Sequence, residues 1–306
     1  MAALRRLGYA VAFATRGTAA ATIAGSAGRV RLAYLHRLRS MLDWAGPIRA
    51  ANPGVRVLYA LADLESLRAA RQADVLGGAP PHGLMEAEAE ALAEADAVVT
   101  HSTAEAAVLA ARHPGLAVHV VPWAIGLAPV TTAFSARRGI GFLGNFGHAP
   151  NRDAAAMLLD AVMPRVWRRG KVPCVIAGHR PPAALLARAG GQVRVLASLP
   201  DAAALWRQVR VSAAPLRFGA GIKGKVLESL AAGVPCVCAP LAAEGIALPE
   251  SLLAADPEAM AERLWQLHES EAENAAAAAA GLALVGNGYT EAIVALALGR
   301  ALTVSG

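Results

Sequence analysis

The sequence predicts an α/β protein built from two doubly wound, parallel-sheet domains. Short apolar runs alternate with helical stretches at regular spacing through the second half, and less regularly through the first. At 306 residues the chain is long enough for two domains of ordinary size. Three second-half strands also run directly into ligand-ready loops: Gly144-Asn145-Phe146-Gly147-His148, Gly178-His179-Arg180 and Arg217-Phe218-Gly219. In open α/β sheets such loops share the carboxyl edge, where ligands sit.

In the first half, strands are expected at 9–15, 30–35, 55–61, 97–100 and 118–122, with helices between them. The chain opens on a helix-like stretch at 2–7. The strand and ligand loop that normally start a doubly wound domain are not recognisable, so the first domain reads as lacking its first strand. Gly126, Pro129 and two threonines mark a linker at 125–137. The expected division is a domain at 1–124, the linker, a second domain at 138–288, and a helix at 289–306 packing back on the first domain.

Second-domain strands are expected at 139–144, 173–178, 193–199, 209–216 and 234–239, with a sixth near 252–255. Helices fit at 152–169, 182–189, 202–208 and 225–232. Three more at 258–270, 272–284 and 290–303 close the molecule, and the alanine run in the middle one reads as a good helix former.

The chain is 56% hydrophobic, but its longest alanine-rich run, 275–285, is shorter than the ~18–20 residues of a membrane span. Arg5 and Arg6 before an apolar run imitate a signal peptide until Arg16 interrupts it. A soluble cytoplasmic protein is expected. Cys174, Cys236 and Cys238 are odd in number and sit in apolar runs, as buried thiols of a reducing compartment do. The eight histidines have no metal-ligand spacing and there is no Asp-x-Asp motif, so no metal and no bound cofactor is expected.

Charge is unevenly placed. Residues 129–252 carry 15 basic and 6 acidic side chains, against 12 and 10 before them and 2 and 7 after. A basic middle attracts a polyanionic ligand. No helix-turn-helix, RNA-binding signature or aromatic-interleaved basic stripe accompanies it, so nucleic acid is not the expected partner.

The most informative stretch runs from Val209 to Pro240: an apolar strand, a glycine loop, a short helix and a second apolar strand. The chain has three lysines against 26 arginines, and two of them, Lys223 and Lys225, lie in this loop. Flexible backbone, unpaired amides at a helix N-terminus and concentrated positive charge suit a phosphate. A plainer reading is that Gly219, Gly221 and Gly224 only turn a corner. Gly219 to Lys225 also fits the spacing of a nucleoside-triphosphate P-loop. Val226, however, stands where that motif needs a magnesium-ligating hydroxyl, and the P-loop is rejected.

Two Rossmann-like domains together with PLRFGAGIKGKVLESLAAGVPCV resemble the GT-B glycosyltransferases, in particular the family 4, group 1 type. GIGFLGNFGHAPNRDAAAMLLDAVMPRV is similar to that family's strand, glycine loop and helix at the start of the second domain. VIAGHRPP, Leu199-Pro200-Asp201 and the 252–257 region follow in the expected order. LYALADLESLRAARQ and ADAVVTHSTAEAAVLAA are similar to less specific first-domain landmarks.

The resemblance implies transfer of a sugar from a nucleoside diphosphate sugar to an acceptor hydroxyl, retaining and metal-independent. The donor would lie in the second domain and the acceptor against the first. Glu228 matches the ribose-contacting glutamate; by its chemistry, a carboxylate one turn into this helix accepts bonds from two adjacent hydroxyls. Arg217 and Lys223 match basic positions that meet the diphosphate. Gly221, Ile222 and Lys223 lie where backbone amides approach phosphate or sugar. Gly144 and Asn145 match the first donor-domain loop, and His179 lies near the base pocket. His148 and His179 also read as ordinary surface residues. Asp63, with Glu65 and Arg68, ends a first-domain strand facing the cleft. Asp63 is a candidate catalytic or acceptor contact, or a solvated helix start. The acceptor, whether glycan, lipid-linked or small molecule, stays open, as does peripheral contact at the inner membrane face.

The sequence departs from the family pattern in two places. Ala220 occupies the position of the family's first, sugar-holding glutamate, in a G-A-G-I-K-G-K variant of the loop; the missing opening strand is the second departure. Both keep alive the alternative of a non-catalytic or truncated nucleotide-sugar-binding protein. A dinucleotide-dependent oxidoreductase is disfavoured, because no strand is followed by G-x-G-x-x-G with an acidic residue about 20 positions on.

Overall fold

The computed structural model describes Arg5, Arg6, Gly8 and residues 14–197, 199 and 201–303. The expected opening helix at 2–7 and strand at 9–15 fall largely outside the described residues, as does Pro200.

The first half runs α1 (Ala19–Ala24), β1 (Leu32–His36), α2 (Leu38–Ala51), β2 (Arg56–Ala60), α3 (Glu65–Leu76), α4 (Leu84–Ala93), β3 (Ala97–Thr100), α5 (Thr103–Arg112) and β4 (Val118–Val120). The four strands form one parallel sheet in the order β1-β2-β3-β4. Helical crossovers cover both faces, so β3 is buried along its whole length and reads as a continuous apolar run ending in Thr100. The S-x-x-E sequence at Ser102 acts as an N-cap: its hydroxyl accepts from the Glu105 amide and starts α5.

The second half runs β5 (Ile140–Asn145), α6 (Ala149–Met157), α7 (Met163–Trp167), β6 (Cys174–His179), α8 (Ala183–Leu186), β7 (Val193–Ala197), α9 (Ala203–Trp206), β8 (Val211–Ala214), α10 (Gly224–Ala231), β9 (Cys236–Cys238) and α11 (Pro240–Ala243). It ends on α12 (Pro257–Glu269), α13 (Glu271–Gly288) and α14 (Glu291–Thr303). Its sheet is parallel with order β7-β6-β5-β8-β9, so the winding reverses between β5 and β8. Two parallel sheets with helices between their strands make two Rossmann-like domains.

Three expectations change in detail. The long helix after β5 is interrupted by a π-helical turn, Leu158–Val162, just ahead of Pro164, which has no N–H to donate. The helices expected at 182–189 and 202–208 shrink to one turn each. The sixth strand is a single parallel bridge, Cys238 to Leu253. A 3-10 turn at Glu250–Leu252 and the Asp256 cap of α12 leave no room for more.

The main core lies under the second sheet, where Phe142, Phe146, Leu158, Val226, Leu230 and Leu264 are almost fully excluded from solvent. A second core, with Val57, Tyr59, Leu61, Val98 and Leu109, fills the first domain. The chain crosses between domains twice, and the crossings touch where the Ile125 amide donates to the Tyr289 carbonyl at 2.8 Å. Beyond the second crossing, α14 lies on the first domain: Ala301 is buried with Val99 and Val121, and Arg56 Nη1 donates to the Leu302 carbonyl at 2.7 Å.

Helices α13 and α14 together (Glu271–Thr303) are long and apolar enough by composition to cross a membrane, with a mean hydropathy of 1.4. Inspection of the 275–285 run alone does not reveal this. One stripe of the pair, Asn274, Ala277, Gly281, Val285 and Ala301, is buried in the fold.

Candidate active site

The reversal between β5 and β8 leaves a crevice beyond their carboxyl ends, and the loops following β5 and β8 flank it. After β5, the Asn145 side-chain oxygen accepts from the Gly147 amide at 3.0 Å, and Asn151 donates to the Asn145 carbonyl at 2.7 Å. Arg152 Nη1 closes the turn on the Phe146 carbonyl at 2.8 Å. Neighbouring β6 is in register with β5, pairing Gly144 with Gly178 and Asn145 with His179. This close approach requires Gly178, because a Cβ there would run into the Gly144 carbonyl. His179 is exposed at the strand end, and Arg180 after it holds φ at 57°. Left-handed backbone in a non-glycine residue is a form of strain that clusters at functional sites.

The loop after β8 is anchored by fully buried Phe218 and by Ile222. Arg217 reaches the middle of α6, where Nε donates to Asp153 at 3.0 Å and Nη2 makes a second bond to the same carboxylate. Lys223 does not project as a free cation. It is buried, and its ammonium donates to the carbonyls of Gly221 and Ala220 in its own loop. Burial lowers its pKa, opposed by Glu244, Glu105 and Asp63.

Lys225, which the sequence reading does not assign to the site, lies between the two loops. Its ammonium donates to Asn151 and sits 4.4 Å from the centre of the Phe142 ring. Burial without a carboxylate partner pushes its pKa down to about 7. Its sequence signals are its scarcity, as one of three lysines in the chain, and its place in the glycine loop. Helix α10 starts here with no side-chain cap; the Val226 amide donates to the Lys223 carbonyl at 2.9 Å, and the Gly224 and Lys225 amides ahead of it can meet an anion. Glu228, one turn on, is half-buried; burial raises its pKa and Lys225 opposes the shift.

The first domain closes directly on this loop. A Cβ on Gly221 would lie 3.0 Å from the Ala62 carbonyl oxygen and 3.2 Å from Asp63 Cβ. A Cβ on Gly224 would run into the Trp123 ring. Trp123 in turn meets His101 edge-on, with ring centres 5.6 Å apart. His101 Nδ1 donates to the Val121 carbonyl at 2.7 Å, and burial lowers its pKa, so its ring favours the neutral form. Asp63 is half-buried and paired with Arg68, which also lies 3.7 Å from Glu65. Nearly buried Glu105 accepts from the Leu64 amide and the Thr100 hydroxyl, each at 2.8 Å, and fixes the turn that carries Asp63.

Gly144, Asn145, His179, Arg217, Gly221, Ile222, Lys223 and Glu228 thus all follow or flank carboxyl ends of second-domain strands, and Asp63 faces Gly221 from the first domain. A cavity of about 750 Å³ lies elsewhere at the junction and is lined by His101, Pro122, Ile246, Leu284 and Tyr289 among others. None of the three glycine loops contributes to its wall.

Residues 137–270 match the family model of group 1 glycosyl transferases. No curated protein matches the chain. Among solved structures, it resembles sucrose-phosphate synthase from Thermosynechococcus elongatus, with a TM-score of 0.72 and 18% identity over 89% of this chain and 72% of that one. HepE from Anabaena, solved with UDP and glucose, aligns with a TM-score of 0.73 and 13% identity over 94% of this chain and 81% of that one. TarM aligns with a TM-score of 0.71 and 10% identity over 89% of this chain, which spans only 54% of TarM. Identities this low speak to fold, and the family model speaks to the second domain. The two parallel sheets and these matches give the protein the GT-B fold, and its residues 137–270 match the group 1 glycosyl transferases.

Proposed function

We propose that the protein transfers a sugar, with retention and without a metal ion, from a nucleoside diphosphate sugar to an acceptor hydroxyl held against the first domain. The anomeric carbon–oxygen bond to the diphosphate breaks, a bond to the acceptor oxygen forms, and the acceptor proton passes to the departing phosphate. One observation carries the reading. At the β5–β8 crevice an uncapped helix N-terminus, Arg217 and Lys225 meet beside the Gly144–His148 loop.

In this reading Arg217, Lys225 and the first amides of α10 stabilise charge developing on the leaving diphosphate, as a metal ion does in other transferases. Lys223 shapes the loop from within and adds positive potential. Gly144, Asn145 and His179 border the base, Gly221 and Ile222 approach phosphate or sugar, and Glu228 accepts from the ribose hydroxyls. Asp63 faces the acceptor. UDP and UDP-glucose in HepE support a nucleotide-sugar donor here. A cytoplasmic location, with peripheral contact at the inner membrane face, suits such a donor.

A thermal-shift series with UDP, GDP, ADP and their glucose conjugates tests the donor, since ligands of the native state raise apparent stability. Calorimetry then separates the roles. Arg217→Ala weakens the diphosphate about ten- to a hundredfold more than the bare nucleoside. Glu228→Ala weakens both alike. Unchanged turnover in EDTA is expected, and loss of turnover would refute metal independence. Ala220 favours a second reading, a nucleotide-sugar-binding protein without transferase turnover. Donor hydrolysis by the purified chain would exclude it.

A further inference from the structure

Arg71 lies on α3 in the first domain, 148 positions before the loop residue it touches. Its guanidinium leaves its own domain. Nη1 donates to the Gly219 carbonyl at 2.9 Å and to Glu244 Oε2 at 2.8 Å, while Nη2 donates to Glu244 Oε1 at 2.7 Å. Both side chains are about three-quarters shielded, with 25% and 22% of their surface exposed, so solvent weakens the pair less than it would on an open face. The paired groups reinforce each other's charged forms: Arg71 lowers the Glu244 pKa, and Glu244 raises that of Arg71.

The carbonyl Arg71 holds belongs to the Gly219–Ala220 peptide. In a trans peptide plane the carbonyl and the following N–H point in opposite directions. Holding the Gly219 oxygen towards the first domain therefore turns the Ala220 N–H the other way. That amide belongs to the residue occupying the position of the family's sugar-holding glutamate.

We propose that Arg71 is a positioning residue of the donor site: braced by Glu244, it fixes the Gly219–Ala220 peptide from across the cleft and so sets the loop amides that meet the donor. The role rests on the reading of this loop as the donor-phosphate site. It ties order in the loop to contact between the domains, because bracket and loop belong to opposite sides of the cleft. Arg71 itself touches neither sugar nor phosphate.

Two measurements on the full chain test this: hydrogen exchange over residues 217–224 without ligand, and calorimetric titration with UDP, GDP and ADP in turn, each beside its bare nucleoside. In Arg71→Ala the loop amides exchange at least about tenfold faster and the bound nucleotide weakens about tenfold or more, as loss of charge-assisted bonds predicts. Nucleoside affinity is unchanged, which a general loss of structure would not allow. Arg71→Lys, keeping one donor, lies between wild type and alanine. Glu244→Gln shifts both readouts in the same direction by less, and covers the case in which the alanine variant fails to fold. If a nucleotide binds wild type and Arg71→Ala matches wild type in both measurements, the positioning role is overturned and the donor reading stands. If none of the three nucleotides binds wild type, the donor reading fails and takes the positioning role with it.

Discussion

At the carboxyl edge of the second-domain sheet, the candidate donor-site groups lie at or near element ends: Asn145, Arg217, Lys223 and Lys225 are within a few residues of a strand or helix end. Across the cleft, the first domain presents Asp63 and His101 from the β2–α3 and β3–α5 connections, Arg71 from α3 itself and Trp123 from the segment after β4. The second-domain edge is held by its own turns, with Asn145 bonded to Gly147 and Asn151. The first-domain edge acts by pressing on that loop, through Trp123 on Gly224 and Arg71 on Gly219. In the proposed donor site one side would carry the ligand chemistry, and the other supplies much of the constraint on it.

The harshest way to break the second-domain edge is Gly178→Ala. The new methyl meets a backbone oxygen in the adjacent strand, and φ is +145°. We expect a loss of about 3 kcal/mol or more, read by chemical denaturation. Gly83→Ala in the first domain, with open space around it and left-handed backbone (φ 73°, ψ −1°), tests the contrast and loses only about 1 kcal/mol.

Gly224→Ala probes the pressing contact, because the Trp123 ring must move away. A cost of about 1–3 kcal/mol is expected from overpacking, together with weaker nucleotide binding in the same calorimetric series.

Lys225 sharpens the electrostatic side. Its folded pKa of about 7 lies below its unfolded value, so between pH 7 and roughly 10 the unfolded chain holds the extra proton. Stability therefore rises with pH across that window, by up to about 1.4 kcal/mol per unit. Lys225→Met should flatten the rise between pH 7.5 and 9, measured by urea denaturation. An unchanged slope would mean that this ammonium is not held neutral.

The smallest effect is reserved for a pair that does not cross the cleft. Arg165 and Glu258 join two helices of the second domain at 2.8 Å, with 36% and 64% of their side chains exposed. Glu258→Gln should move Tm by no more than about 2 °C, within what an exposed ion pair contributes.

The sequence by itself determined the alternation of strands and helices, the second-domain order and the loops that hold Gly144, Asn145, His179, Arg217 and Glu228. These are local signals: apolar periodicity, a glycine after a strand, a cap before a helix, each readable within about ten residues. The helix starts at Ser102, Asp256 and Ser270 obey an equally local rule that appears only in the structure, where each hydroxyl or carboxylate accepts from an amide three positions on. Tertiary structure alone decided which of two neighbouring lysines turns inward to its own loop and which sits between α6 and β5. It alone brought Arg71 to Gly219 and Glu244, contacts 148 and 173 positions apart in the chain. A side chain's direction follows from the strand or helix that carries it, but its partner depends on how two separately folded sheets meet. That docking is the sum of many weak contacts at long sequence separation, and no short stretch of residues encodes it.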